Sequence, residues 1–301
     1  MNEPPARKKT SRPESRSPKS DIKPKTDRPN EKRPYSNSKK PNDREFKPRY
    51  EHRPRPDHSD SQSESSSPRH QKPSIHLQPV LNTPGVFVIQ EPKRLTLYTQ
   101  NLIPGHQVYG EKLFTWSSKE YRAWDATRSK MAAALMNKMG ESPIQEGNSV
   151  LYLGAANGTT LSHISDIVGH RGVVYAVEFS DRPFVDLHAL AKVRKNIIPL
   201  LEDARFPDHY QFLITRVDCI YSDVAQPDQV DIVLKNALYF LKPKGTLLLA
   251  LKLSSIAYEE NYQAIIQQQK DLLLQRFHIK AEISLEPFHK KHLFINAIAR
   301  D

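Results

Sequence analysis

The chain has 301 residues and a formal net charge of +11, a length that allows one large domain or two modest ones. Cys219 is its only cysteine, which excludes an intrachain disulfide and a cysteine zinc cage. No apolar run reaches membrane-spanning length and the first residues, MNEPPARKKT, contain no apolar signal core, so a soluble protein with no membrane partner is expected.

Residues 1–75 carry 20 Lys+Arg against 11 Asp+Glu and 13 of the 24 prolines, with no glycine. Ile22, Tyr35, Phe46 and Tyr50 stand isolated. Such a segment cannot bury enough surface to offset its ordering entropy, so a disordered basic tail is expected. Its charge suits a polyanion. The tail is either a solvating extension, or an electrostatic tether to RNA or an import signal, for which ARKK is a candidate.

Ordered structure is expected from about residue 76. GVFVI (85–89), RLTLYT (94–99) and KLFTW (112–116) read as short strands broken by Pro92 and by Pro104–Gly105, which suggests a small β subdomain over 76–120. A helix is expected over 125–139, with Met131, Leu135 and Met139 on one face and Gly140 ending it. From Ser149 strand and helix alternate. The expected strands are 149–153, 173–179, 197–201, 217–222 and 245–253, and Cys219 among Val217, Ile220 and Tyr221 reads as a buried strand thiol. The expected helices cover 160–168, 184–194, a short stretch near Tyr210, 228–241 and 259–277. Two final strands, 280–285 and 293–299, are too close for a crossover helix and should pair antiparallel. Near-continuous apolar strands alternating with helices specify an α/β fold, a parallel sheet covered on both sides. With a terminal antiparallel strand, this is the Rossmann-like fold of class I methyltransferases, here over 121–301.

In such sheets ligands bind beyond the C-terminal ends of the strands. In VLYLGAANGTTLSHISDIVG (150–169), Gly154 and Gly158 bracket Ala155, Ala156 and Asn157, so the chain can turn tightly and admit a ligand to its backbone. The G-x-x-x-G spacing differs from the dinucleotide fingerprint. A tight turn without any ligand has the same appearance. Glu178 closes the second strand, where an acid can take both hydroxyls of a ribose, and Asp203 and Asp223 follow the third and fourth. Three carboxylates at successive strand ends suit a cationic, ribose-bearing ligand such as S-adenosylmethionine better than a pyrophosphate.

That stretch, with VVYAVEFS (173–180), NIIPLLEDARFP (196–207), DVAQPDQ (223–229), NLIPGHQVYGEK (101–112), YRAWDATRSKMAAAL (121–135) and, more loosely, LKPKGTLLLALK and LEPFHKKH, resembles the fibrillarin family of box C/D RNA 2′-O-methyltransferases over residues 80 to 300. The resemblance implies that Thr159, Thr160, Glu178, Phe179, Asp203, Ala204, Asp223, Val224, Ala225 and Gln226 contact S-adenosylmethionine. It implies further that Lys130, Asp223, Lys252 and His292 surround the reacting 2′-hydroxyl of ribosomal RNA. The partners it implies are a guide RNA, a Nop-type scaffold protein and a kink-turn-binding protein, in the nucleolus of a eukaryotic cell or otherwise in the cytoplasm.

In-line displacement on a sulfonium methyl mainly requires positioning, and a lysine beside a carboxylate can orient the hydroxyl. Lys252, inside LLLALKLSS, is either an edge lysine that reaches water or a catalytic group. Lys130 is likewise either solvated or catalytic. The sequence departs from the family at Asn157, where a serine is usual, at Ala257, where an acid is usual, and at Lys291, which replaces an acid before His292 and favours a neutral imidazole. The tail lacks glycine–arginine repeats. Ala257 and Lys291 keep open a ribonucleoprotein scaffold with little catalysis. A protein glutamine methyltransferase is a further alternative, and a dehydrogenase is disfavoured by the turn and the acids.

Overall fold

Strands buried on both faces need two covering layers, and the chain supplies them from opposite sides of one sheet. The structure is a computed structural model that describes residues 76–92, 94–256 and 262–301. The basic tail expected over 1–75 and Ala257 lie outside the described residues.

The N-terminal unit is a sheet of five antiparallel strands: Leu77–Pro79 (β1), Val86–Glu91 (β2), Arg94–Gln100 (β3), Leu113–Trp116 (β4) and Lys119–Trp124 (β5), in the order β1-β2-β3-β5-β4. β5 crosses the boundary expected at residue 120, so this sheet extends to Trp124. The helix expected over 125–139 is correspondingly shorter, Lys130–Met136 (α1). Asp125 accepts from the amide and hydroxyl of Thr127 and fixes a turn. Ser129 then caps the helix by accepting from the Ala132 amide.

The second sheet has seven strands. They are Ser149–Leu153 (β6), Val173–Glu178 (β7), Ile197–Leu201 (β8), Val217–Ser222 (β9), Leu241–Lys252 (β10), Phe277–Ser284 (β11) and His292–Ala299 (β12), in the order β11-β12-β10-β9-β6-β7-β8. β6 through β10 are parallel, and β12 is antiparallel to both neighbours. The antiparallel strand is therefore last in the chain but lies inside the sheet, between β10 and β11. Pro199 is accommodated because β8 is an edge strand. The helices are Thr159–Val168 (α2), Asp181–Val193 (α3), Gln229–Phe240 (α4) and Tyr262–Leu274 (α5), and the last ends before the expected residue 277 because Phe277 opens β11.

Alternate residues point to opposite faces. Val150, Tyr152, Val174, Cys219 and Tyr221 pack with Leu161 and Ile164 of α2, Met131 of α1, and Val86, Leu97 and Trp124 of the first sheet. Leu151, Leu153, Val177, Ile220, Leu247 and Leu249 pack with Val230 and Val233 of α4 and with Leu273. Each such leucine contributes about 1.5–3 kcal/mol.

A buried polar network joins the first sheet to α2 and α3. Asp166 accepts from Arg122 at 2.8 Å, Arg194 at 2.6 Å, the Thr99 hydroxyl at 2.8 Å and the Leu102 amide at 2.9 Å. Arg122 also donates to Glu111 and Ser162. Two cations meet two carboxylates there, and burial together with both arginines holds His163 well below the usual histidine range. The cluster fixes α2, and so the turn that leads into it.

Candidate functional site

β7 and β8 follow outward on one side of β6, and β9 and β10 on the other. The strand order therefore reverses between β6 and β9, where a crevice opens beyond the strand ends. Gly154 ends β6 there with φ +77°, and the Asp223 amide donates to Leu153 at 2.9 Å. A Cβ at Gly154 would stand 2.9 Å from the Asp223 carbonyl oxygen. Both the left-handed backbone and this close approach require glycine. Gly154→Ala is expected to lower stability by about 1–3 kcal/mol, read as a shifted urea midpoint. An unchanged midpoint would mean that the Asp223 backbone yields freely.

The cavity at this crevice has a volume of about 200 Å³. It is lined by Gly154, Glu178, Phe179, Asp203, Ala204, Asp223, Val224, Ala225 and Gln226, all expected from the sequence. Ala156, Val177, Glu202, Arg205 and Ile232 join them without having been expected. Four expected residues lie outside the lining. Ala155 is turned into the core. Gly158 caps α2 with φ +89°, where a Cβ would meet Leu190 at 2.5 Å, so this glycine serves packing. Thr159 donates to Asn157 at 3.4 Å, and Thr160 is buried and donates to Ser129 at 3.0 Å.

Glu178 is buried, and its carboxylate accepts from the Ala156 amide at 2.8 Å and the Ser180 amide at 2.9 Å. It thus fastens the glycine turn to the start of α3. Arg205 grips the Asp203 carboxylate from two nitrogens, at 2.6 and 3.0 Å, and holds that carboxyl below its usual range. Phe179 presents an exposed ring. An acid-lined cleft with one exposed aromatic and a backbone stripped of side chains fits a cation that carries a ribose and a flat base.

At the lip of the cleft, Lys130 Nζ lies 2.8 and 2.9 Å from the two oxygens of Asp223. About a fifth of each side chain is exposed. Burial pushes the Asp223 carboxyl above the usual range, with Lys130 pulling it back. His292 faces Lys252 across the β10–β12 ladder. Its Nδ1 is 2.7 Å from the Lys290 carbonyl, so Nδ1 carries the proton and Nε2 keeps its lone pair. The imidazole is held below the usual range by burial first of all and then by the charge of Lys130, against the raising effect of its hydrogen bond to the Lys290 carbonyl. The backbone of Lys252 is clamped by the Gln229 amide, which accepts from its N–H at 2.8 Å and donates to its carbonyl at 3.1 Å. Asp223 is paired with Lys130, and the Lys252 ammonium makes no ion pair among the described residues. No group of three or more His, Cys, Asp or Glu poised for a metal occurs among the described residues.

A parallel sheet with one antiparallel strand set into it, and this cleft at its reversal point, define a Rossmann-like class I methyltransferase. The sequence model described as Fibrillarin matches residues 77–301. The chain is 46% identical over 225 residues to the fibrillarin-like rRNA/tRNA 2′-O-methyltransferase of Staphylothermus marinus, covering 74% of this chain and 96% of that one. It is similar to the crystal structure of Aeropyrum pernix fibrillarin in complex with natively bound S-adenosyl-L-methionine (TM-score 0.70, 43% identity, 74% of this chain and 98% of that one). It is also similar to a fibrillarin solved as a fibrillarin/Nop5p complex (TM-score 0.65, 38% identity, 72% and 98%). The chain belongs to the fibrillarin family.

Proposed function

We propose that the protein is an S-adenosylmethionine-dependent methyltransferase that modifies a ribose 2′-hydroxyl of ribosomal RNA. The observation that carries this is the Lys130–Asp223 pair, 2.8 Å apart at the lip of the acid-lined cleft. When bound, S-adenosylmethionine supplies an electrophilic methyl group on a sulfonium. Glu178 would hold the ribose hydroxyls, Asp203 and the Phe179 ring the base end, and Asp223 with Gln226 the amino-acid end. Lys130 and Asp223 would orient the RNA hydroxyl, and a raised carboxyl pKa suits Asp223 to hold its proton. His292 Nε2, with its free lone pair, would accept from the same RNA nucleotide.

The relative solved with Nop5p supports a Nop-domain scaffold as partner. A box C/D guide RNA and a kink-turn-binding protein complete the proposed particle, which would work in the nucleolus of a eukaryotic cell and otherwise in the cytoplasm.

Calorimetric titration tests the reading at the cofactor. Wild type is expected to bind S-adenosylmethionine and not NAD, and Glu178→Ala to weaken that binding by roughly 10–100-fold, the worth of hydrogen bonds to a charged group. Tight NAD binding without S-adenosylmethionine binding would overturn it.

A further inference from the structure

Lys130 is the first residue of a helix only seven residues long, too short to hold its own orientation. Its inward face is mostly alanine, which gives little shape to fix a rotation. The position of the Lys130 amine must therefore be set from outside α1: Thr160 holds the Ser129 cap, and a second hold comes from residues 285–291, the loop joining β11 to β12.

That loop grips α1 at both ends. At the C-terminal end, Asn137 donates to the carbonyls of Ser284 at 2.7 Å and Glu286 at 2.8 Å. At the N-terminal end, His289 Nε2 lies 2.9 Å from the carbonyl of Ala126, in the turn that leads into the helix, and donates to it. The His289 amide in turn donates to the Leu285 carbonyl at 2.9 Å, which makes the loop a closed unit. The same loop brings His292 to the site, its ring 6.0 Å from that of His289.

We propose that His289 is a positioning residue for methyl transfer: by holding the Ala126 carbonyl it fixes the start of α1 and keeps the Lys130 amine on Asp223. This rests on the methyl-transfer reading for its consequence, but its first link, from His289 to Lys130, does not depend on activity. The imidazole acts as a neutral donor through Nε2. A glutamine, with an amide N–H of similar reach, should replace it; an alanine should not.

The test uses the full chain in five forms: wild type, His289→Ala, His289→Gln, Lys130→Ala, and His289→Ala combined with Lys130→Ala. Acetylation of Lys130 by acetic anhydride, quantified by mass spectrometry, reads the ion pair directly, because a paired ammonium is a poor nucleophile. Single-turnover transfer in the reconstituted particle reads the consequence. The expected results are severalfold faster Lys130 acetylation in His289→Ala, with S-adenosylmethionine binding unchanged. Transfer should be about tenfold slower, as displacement of a catalytic group by a fraction of an ångström produces. His289→Gln should behave as wild type, and in the Lys130→Ala background His289→Ala should cause no further loss. Unchanged Lys130 acetylation in His289→Ala would overturn the proposal. So would multiplying losses in the double variant, or a His289→Gln protein as impaired or as poorly folded as the alanine form. Should wild type transfer no methyl to RNA while the acetylation pattern holds, the methyl-transfer reading fails and the positioning role stands.

Discussion

Asp223→Asn is expected to slow single-turnover methyl transfer by about 10²–10⁴-fold, the span that general acid–base groups contribute, with little change in thermal unfolding. The side chain keeps its shape, but it can no longer hold the Lys130 ammonium by charge from 2.8 Å or take up a proton. Asparagine leaves the Asp223 backbone contact with Leu153 intact, so the cleft itself should persist. The same carboxyl sets an acid limit in the wild type. Burial raises it above its ordinary value, so it becomes protonated, and the pair with Lys130 weakens, at a pH above the ~4 typical of an aspartate. Transfer should fall with decreasing pH through that raised value. A rate that stays flat down to the ordinary carboxylate range, or an Asp223→Asn protein within twofold of wild type, would remove Asp223 from the chemistry.

Asp166→Ala is expected to cost about 3–5 kcal/mol, the range for removing one partner of a buried ion pair. Arg122 and Arg194, whose side chains are fully buried, both lose a carboxylate, and the Thr99 hydroxyl and Leu102 amide lose an acceptor. Against a typical stability of about 5–15 kcal/mol this is a large fraction. The loss should appear in urea unfolding, and, because α2 is fixed to the first sheet through this residue, in weaker S-adenosylmethionine binding at the turn that leads into α2. A variant as stable as wild type would mean that water or Glu111 takes over both guanidinium groups.

The parallel strands were legible because both faces are buried, which writes apolar runs into the sequence. β6, β8 and β9 match the expected spans residue for residue. β5 was not legible. KEYRAW carries Arg122 at its centre, and that charge is tolerated because Glu111 and Asp166, the latter 44 residues away, are brought beside it. The length of α1 was misread for a local reason: Met131, Leu135 and Met139 keep helical spacing, but the Asp125 turn and the Ser129 cap delay the start, and the helix stops at Met136.

At the site, the acids stood out because each falls where a strand ends. Glu178, Asp203 and Asp223 converge on the cleft as strand position alone required. Arg205 and His289 gave no such signal. Their roles depend on which carboxylate or carbonyl faces them after folding. Thr160, which the resemblance assigns to the ligand together with Thr159, also anchors the Ser129 cap, and with it the start of the helix that bears Lys130; no sequence pattern signals that contact.

Labelled methyl transfer from S-adenosylmethionine in the reconstituted particle tests the proposed methylation of a ribose 2′-hydroxyl. Two target RNAs would be compared that differ only in having a 2′-hydroxyl or a hydrogen at the guide-specified nucleotide. Label is expected on the ribose of that one nucleotide and none on its deoxy counterpart. Equal labelling of both RNAs, or label found only on a protein glutamine, would contradict it.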